Sequence, residues 1–257
     1  MGETRALLRA EALAVAHRRR TILSGVDVVA SAGAVISIEG SNGSGKTSLL
    51  RVLAGLSAPR AGMLARTGRC AFVPEKVGLG PAMGCREWLG AMRALRGLDA
   101  LDWEAAVRAS ELSPEVLDAP CAVLSKGMLQ RIALLESLHS DCVLLLLDEP
   151  VSGLDTRGRQ WLAVAVRGRA ERGAAVLLSD HSGAARSLLT LTGRMRLEGG
   201  RCVDADLRPV AADDRAITIV ASDPEDRRVS RQVREQDVDE ILGTLIAAGW
   251  HIEEVRR

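Results

Sequence analysis

Tyrosine is absent from this chain, phenylalanine occurs once, and lysine occurs only at Lys46, Lys76 and Lys126. The scarcity of lysine beside abundant arginine and alanine is a matter of composition and says nothing about function. No apolar run approaches the ~18 residues of a membrane helix. The longest clean run, Val143 to Leu147, is strand-sized. Neither sign of charge dominates: 34 basic and 33 acidic side chains leave a formal +1. That balance argues against coating nucleic acid or anionic lipid by bulk charge, and no nucleic-acid partner is expected. The five cysteines, Cys70, Cys85, Cys121, Cys142 and Cys202, form no CxxC pair and leave one over, as in a reduced, cytosolic compartment. Glu3 and Arg5 around a very short apolar stretch predict no signal peptide. Repeats and low-complexity tracts are also missing.

What is present is a globular composition: 257 residues, 47% hydrophobic and 26% charged, enough for one large domain with a small appendage. Residues 7–38 alternate short β-type segments with turn signals, Ile22 to Val29 being broken by Gly25, and Val35 to Ile38 predicts a strand ending at Gly40. Lys46 to Leu56 predicts a helix with Leu49, Leu50 and Leu53 on one face. Between Pro81 and Asp141 the pattern is helical: Trp88 to Leu95, Trp103 to Leu112 and Met128 to Leu138. Val143 to Leu147 and Ala174 to Leu178 predict buried parallel strands, with helices at Leu162 to Ala170 and Ala184 to Leu191. The alternation points to an α/β parallel sheet with a helical insertion at about 81–140. Gly199 to Asp214, rich in Gly, Asp and Pro, reads as a connection. Beyond it, strands at Ile217 to Val220, Val229 to Val233 and near Ile252, with a helix at Val238 to Ala247, suggest a small α+β appendage. The expected division is 1–204 and 205–257.

Three groups of residues carry chemistry. Gly40-Ser41-Asn42-Gly43-Ser44-Gly45-Lys46-Thr47, followed by Ser48, matches GxxxxGK[ST] in full. Glycines at 40, 43 and 45 let successive backbone N–H groups approach phosphate oxygens, and the next helix directs its N-terminal partial charge at them. Lys46 would reach the β- and γ-phosphates, and Thr47 would offer its hydroxyl to Mg²⁺. Second, Asp148 and Glu149 end the apolar strand, where ligands bind in such sheets. Asp148 is suited to Mg²⁺, and Glu149 to polarising an attacking water as general base. Third, Leu124-Ser125-Lys126-Gly127-Met128 precedes that strand, Ser152-Gly-Leu-Asp155 follows it, and His181 comes after the next strand.

This order resembles the nucleotide-binding subunit of ABC transporters over about residues 5–200. The matching parts are Walker A (40–47), the signature (124–128), Walker B with its glutamate (144–149), the D-loop (152–155) and the switch histidine (181). The resemblance implies a P-loop NTPase core with N-terminal antiparallel β elements. It also implies ATP with Mg²⁺ as ligands, and a head-to-tail dimer with a second nucleotide-binding subunit, identical or not. In that dimer Lys46 of one chain and the signature of the other would hold the same γ-phosphate. His181 would contact that phosphate and steady Glu149.

Three positions depart from the common pattern. Glu75, after Phe72-Val73-Pro74, stands where the Q-loop glutamine is usual. It is either a carboxylate near Mg²⁺ or the water, or a solvated loop acid. The signature reads LSKGM, and both changes resemble the drug- and antibiotic-export branch. The adenine-stacking aromatic is replaced by His17 or Arg18, unless His17-Arg-Arg-Arg20 is merely a solvated turn. Trp88, Trp103, Trp161 and Trp250 read as core or interface. The function implied is the ATPase subunit of a multi-chain transporter, more often an exporter. It would sit on the inner face of the cell membrane through a separate integral permease subunit that contacts the Met83–Trp88 region. A soluble ATPase acting on ribosomes or DNA is the alternative. Members acting on DNA carry long coiled coils between Walker A and the signature, where only about eighty residues without heptads stand here, and members acting on ribosomes usually join two cassettes where this sequence has one.

Overall fold

A computed structural model describes residues 6–18, 20–78, 83–207, 216–222, 228–234 and 238–256. The chain divides into two compact units, Met1–Val210 and Ala211–Arg257.

The first unit is built on a six-stranded sheet. Its strands are β3 (Val35–Glu39), β5 (Cys70–Val73), β6 (Leu144–Leu147), β7 (Ala175–Asp180), β8 (Gly193–Glu198) and β9 (Arg201–Leu207), in the order β5-β6-β7-β3-β8-β9. All pairs are parallel except β8–β9. Successive leucines of β6 face opposite sides. Leu144 and Leu146 join a core with Leu49, Leu50 and Leu53, while Leu145 and Leu147 join a second with Leu134, Leu162 and Leu178. A strand buried on both faces needs apolar residues at every position, which is why this run lacks the alternation of a half-exposed strand.

The first core is roofed by α1 (Lys46–Leu53) and an antiparallel sheet of β1 (Ala6–His17), β2 (Arg20–Ser31) and β4 (Ala61–Arg66), ordered β2-β1-β4. Gly25, expected to break a strand, instead forms a bulge: the pairing steps from Val15↔Leu23 to Leu13↔Val26 without ending β2. Helix α1 stops before Leu56 because Gly55 turns left-handed (φ 78°) and its N–H bonds back to the Val52 carbonyl.

The second face carries α4 (Lys126–Leu138), α5 (Thr156–Glu171) and the short α6 (Ala184–Leu188). Helices α2 (Cys85–Arg96) and α3 (Trp103–Ala109), with 3-10 turns at Pro114–Leu117 and Cys121–Val123, form the insertion. Its own core contains Leu89, Trp103, Val107, Leu117, Ile132 and Leu135. Residues Gln130 to Leu138 of α4 are buried on every side. One edge of the helix serves the sheet (Ala133, Leu134, Leu138) and the other the insertion (Ile132, Leu135). Helix α4 therefore fastens the insertion to the sheet, with the 124–128 segment at its start. Pro81, where the helical pattern was expected to begin, lies outside the described residues.

Part of the expected connection at 199–214 is structured. Gly199 and Gly200 turn with positive φ, and Arg201–Leu207 pairs as β9; residues 208–214 lie outside the described residues. In the second unit, β10 (Ala216–Ser222), β11 (Arg228–Arg234) and β12 (His251–Arg256) form an antiparallel sheet ordered β11-β10-β12. Helix α7 (Val238–Ala247) accompanies it, with Ile219 and Val238 packed among Ile241, Leu242, Leu245 and Ile252.

Candidate functional site

The C-terminal ends of β3, β5, β6 and β7 meet at one edge of the sheet, and each releases a polar segment there. Loops at that edge of a parallel sheet are the usual ligand site. They enclose a cavity of about 650 Å³ lined by Ile22, Asn42, Gly43, Lys46, Thr47, Glu75, Glu149, Ser152 and His181, among others.

The loop after β3 ends in Gly45, whose φ of 104° caps α1 in the left-handed region that favours glycine. Lys46, 6% exposed, donates from Nζ to the carbonyl oxygens of Gly40 (2.7 Å) and Ser41 (3.3 Å). Its ammonium therefore lies over the loop whose N–H groups it supplements. Ser44 donates its N–H to the Ser41 carbonyl, and Ser48 lines the cavity.

Asp148, 2% exposed, has both oxygens engaged: Oδ2 accepts from the Thr47 hydroxyl (2.8 Å) and Oδ1 from the Ser179 hydroxyl (2.7 Å). Glu149 forms an ion pair with Lys46 (3.5 Å) and a 2.7 Å hydrogen bond with His181 Nδ1. A carboxylate only accepts, so Nδ1 carries that proton. The Glu149 backbone has φ 49°, a left-handed conformation unusual for a side chain of this size.

Thus the structure brings Lys46, Thr47, Glu149, His181 and Glu75 to one cavity, with the buried Asp148 outside the lining and bonded to it through Thr47. The Thr47–Asp148 pair offers hard oxygen donors of the kind Mg²⁺ takes. Among the described residues no group of three or more His, Cys, Asp or Glu converges on a metal position, so such an ion would depend on phosphate oxygens for further ligands.

Other expected residues lie outside this lining. His17 and Arg18 sit at the β1–β2 turn, and Ile22 is the residue of that hairpin that lines the cavity. None of Leu124 to Met128 lines the cavity of its own chain. Ser125 caps α4 by accepting from the Met128 N–H (3.2 Å). Lys126 reaches back 3.1 Å to Glu75. Gly127 lies so close to the 152–155 loop that a Cβ there would sit 2.5 Å from the Gly153 carbonyl oxygen. Asp155 caps α5 through the Gly158 N–H (2.7 Å) and accepts from Arg131 Nη2 (2.7 Å). That N–H and the Arg131 charge hold its carboxyl below the ordinary range. Arg131 also donates to the Ser110 and Glu111 carbonyls (3.1 and 3.3 Å), joining the insertion, the start of α5 and α4.

Ser179, Arg131 and Asp180 escaped the sequence reading. The Asp180 carboxylate accepts from the N–H groups of Ser182, Gly183 and Ala185 and folds the turn beside His181. The only signal was a polar pair, Ser179-Asp180, ending a strand otherwise wholly apolar.

Residues 23–152 match the family described as ABC transporter. The cytochrome c biogenesis ATP-binding export protein CcmA of Hyphomonas neptunium is 34% identical over 189 residues, covering 70% of this chain and 93% of that protein. The zinc import ATP-binding protein ZnuC of Pseudomonas entomophila is 28% identical over 253 residues, 96% of each chain. A solved ATP-binding subunit of an ABC transporter superposes with TM-score 0.71 at 25% identity, over 78% of this chain and 89% of that one. A nucleotide-free ATP-binding cassette shares the fold, with TM-score 0.65 at 16% identity over 78% and 91%. A glycine loop ending in Lys46, a carboxylate and histidine beside that lysine, and these relatives together identify the chain as a member of the ABC transporter family, an ATP-binding subunit with ATPase activity.

Proposed function

We propose that this chain is the hydrolytic subunit of a multi-chain exporter. It would dock from the cytoplasmic side on a separate membrane-spanning permease, and pair with a second nucleotide-binding subunit. The observation that supports the hydrolytic role is the Glu149 carboxylate, held between Lys46 Nζ and His181 Nδ1 at the cavity wall.

The γ-phosphate of ATP would compete with the Gly40 and Ser41 carbonyls and with Glu149 for the Lys46 ammonium. Freed from Lys46 but still bonded to His181, Glu149 would take a proton from the attacking water as that water bonds to phosphorus and the bond to ADP breaks. Bound Mg²⁺ would neutralise charge building on the phosphate oxygens. Thr47 and Asp148 are the residues to hold it, with Glu75 at the same wall. His17 or Arg18 would cover the adenine from the hairpin turn.

Ser125 to Met128 and Asp155 lie outside the lining of their own cavity, which supports their use by a partner's nucleotide. ATP binding would close the pair, and phosphate release would reopen it. The export direction rests on LSKGM and Glu75 and on the export protein among the relatives, against a zinc importer in the same set. No helix among the described residues is long and apolar enough to cross a membrane, so transport would require the permease.

Two measurements test this reading. Tagged protein drawn from gently solubilised membranes should carry a stoichiometric polytopic membrane protein; ribosomal proteins in its place would overturn the transport role. The Glu149→Gln variant should bind ATP yet lose about 100-fold or more of its turnover, the usual contribution of a general base. Unchanged turnover would remove Glu149 from that role.

A further inference from the structure

The β6–β7 ladder stops at Leu147↔Leu178. One step further along the same register stand Asp148 and Ser179, and there a side chain continues the pairing that backbone no longer makes. The Glu149 N–H donates 2.7 Å to Ser179 Oγ, and that hydroxyl donates 2.7 Å to Asp148 Oδ1. Ser179 is 1% exposed, so water does not replace either bond. A serine hydroxyl has one proton and can accept as well as donate. Here both capacities are spent on adjacent members of the acidic pair.

The consequence lies at Glu149. Its peptide adopts φ 49°, which a non-glycine residue keeps only where its surroundings hold it. Turning left-handed at this point takes the Glu149 side chain out of strand alternation and into contact with Lys46 and His181. Its N–H bond to Ser179 is the fixture at the root of that turn. Through the same oxygen, Ser179 fixes the carboxylate of Asp148, leaving Oδ2 for Thr47.

We propose that Ser179 is a positioning residue for ATP hydrolysis: its hydroxyl sets the Glu149 backbone and the Asp148 carboxylate in one geometry, without touching the nucleotide. The assignment rests on the hydrolytic role proposed for Glu149. Its effect should fall on turnover rather than on nucleotide binding, because Lys46 and the glycine loop are held independently through Gly40 and Ser41.

The test compares the full-length chain with its Ser179→Ala, Ser179→Thr and Ser179→Cys variants. Steady-state ATPase kinetics are measured at saturating Mg²⁺, and affinity for a non-hydrolysable ATP analogue by calorimetry. Ser179→Ala should lower kcat by about 10- to 100-fold, the scale of misplacing a reacting group by an ångström. KM and analogue affinity should stay within about twofold. Ser179→Thr, which restores the hydroxyl, should recover kcat to within about threefold. Ser179→Cys keeps the volume with a weak S–H donor, and supplies the same comparison if the alanine variant does not fold; its kcat should also fall by tenfold or more.

An unchanged kcat in folded Ser179→Ala or Ser179→Cys would overturn the assignment. So would a loss confined to KM, or equal losses in the alanine and threonine variants. If wild type hydrolyses ATP and Glu149→Gln does not, these outcomes bear on Ser179 alone. A Glu149→Gln chain as active as wild type would instead overturn the reading on which the assignment rests.

Discussion

Gly158 occupies the first turn of α5, where the backbone is ordinary helix and alanine would normally stabilise by about 1 kcal/mol. The structure predicts the opposite sign for Gly158→Ala. A Cβ at this position would lie 2.3 Å from Arg131 Nη2 and 2.7 Å from its Cζ. The end of a flexible side chain ordinarily moves aside at little cost, but this guanidinium is 5% exposed and bonded to the Ser110 and Glu111 carbonyls as well as to Asp155. To clear a methyl it must leave the fully buried Ser110 carbonyl, and an orphaned buried group of that kind costs about 1–3 kcal/mol. Asp155 is open to water and is left out of the sum. The net expectation is a loss of about 1 kcal/mol, the orphaned carbonyl outweighing the helical gain. Urea unfolding followed by tryptophan fluorescence would measure it, since Trp88, Trp103 and Trp161 lie in the first unit. The decisive comparison is a cycle: in an Arg131→Met background the same Gly158→Ala change should become stabilising. A stabilised single variant, or the same sign in both backgrounds, would refute the argument.

Other elements carry expectations of their own. Arg96 grips Glu136 with a fork of 2.8 and 3.3 Å between α2 and α4, and Glu136 is 4% exposed. Burial opposes the Arg96 charge, but Glu136 more than restores it, and Glu136→Ala should cost about 1.5–3 kcal/mol in the same unfolding assay by taking the carboxylate from a half-buried guanidinium that keeps only the Cys142 sulfur. His139 is held below its ordinary pKa by burial, with Arg172, Arg93 and Arg169 adding to the effect against the Leu135 carbonyl. Its neutral form is the folded one, so its contribution is complete above the unfolded value of about 6.5 and is lost as pH falls through the folded value. The pH dependence of stability below 6.5 should therefore flatten in His139→Gln, and an unchanged profile would exclude His139 as its source. Cys85 lies 3.5 Å from Cys121, and burial pushes the Cys85 thiol up to about 12, as it pushes Cys70 up to about 11. Iodoacetamide at pH 8 should label Cys85 and Cys121 only after unfolding, as read by mass spectrometry, whereas native labelling would contradict their burial.

What could be read in advance followed a physical division. The glycine loop was legible because its conformation depends on local backbone geometry: Gly40, Gly43 and Gly45 all take the positive φ that glycine permits. Strand β6 was legible because burial on both faces leaves an unbroken apolar run. Strand β4 was not: of Ala61–Arg66 only Leu64 is even half-buried, and the segment is a strand because β1 lies beside it. Strand β9 hid in a glycine- and aspartate-rich stretch that composition marks as a connection. Helix α5 begins at Thr156, ahead of the expected Leu162; its start was written in the Asp155 cap rather than in apolar periodicity. Ser179 and Arg131 could not be assigned from the sequence because their partners lie 30 and 24 residues away and meet them only through strand register and helix packing.

The order β7-β3-β8 also has a consequence for the making of the protein. Strand β3 occupies the middle of its sheet, yet Ile36 pairs with Leu177 and Gly193, about 140 and 157 residues further along the chain. At ribosomal rates of about 5–20 residues per second, the first of those partners is synthesised about 7–28 seconds after β3. Throughout that interval β3 can take neither of its sheet neighbours, and its four buried residues, Val35 to Ile38, have no strand beside them. The cavity beside Lys46 therefore cannot form on a nascent chain shorter than about residue 181, where the last of its described wall, His181, is added. A ribosome stalled anywhere before that point holds a glycine loop without a pocket, and an unpaired strand open to chaperones or to aggregation.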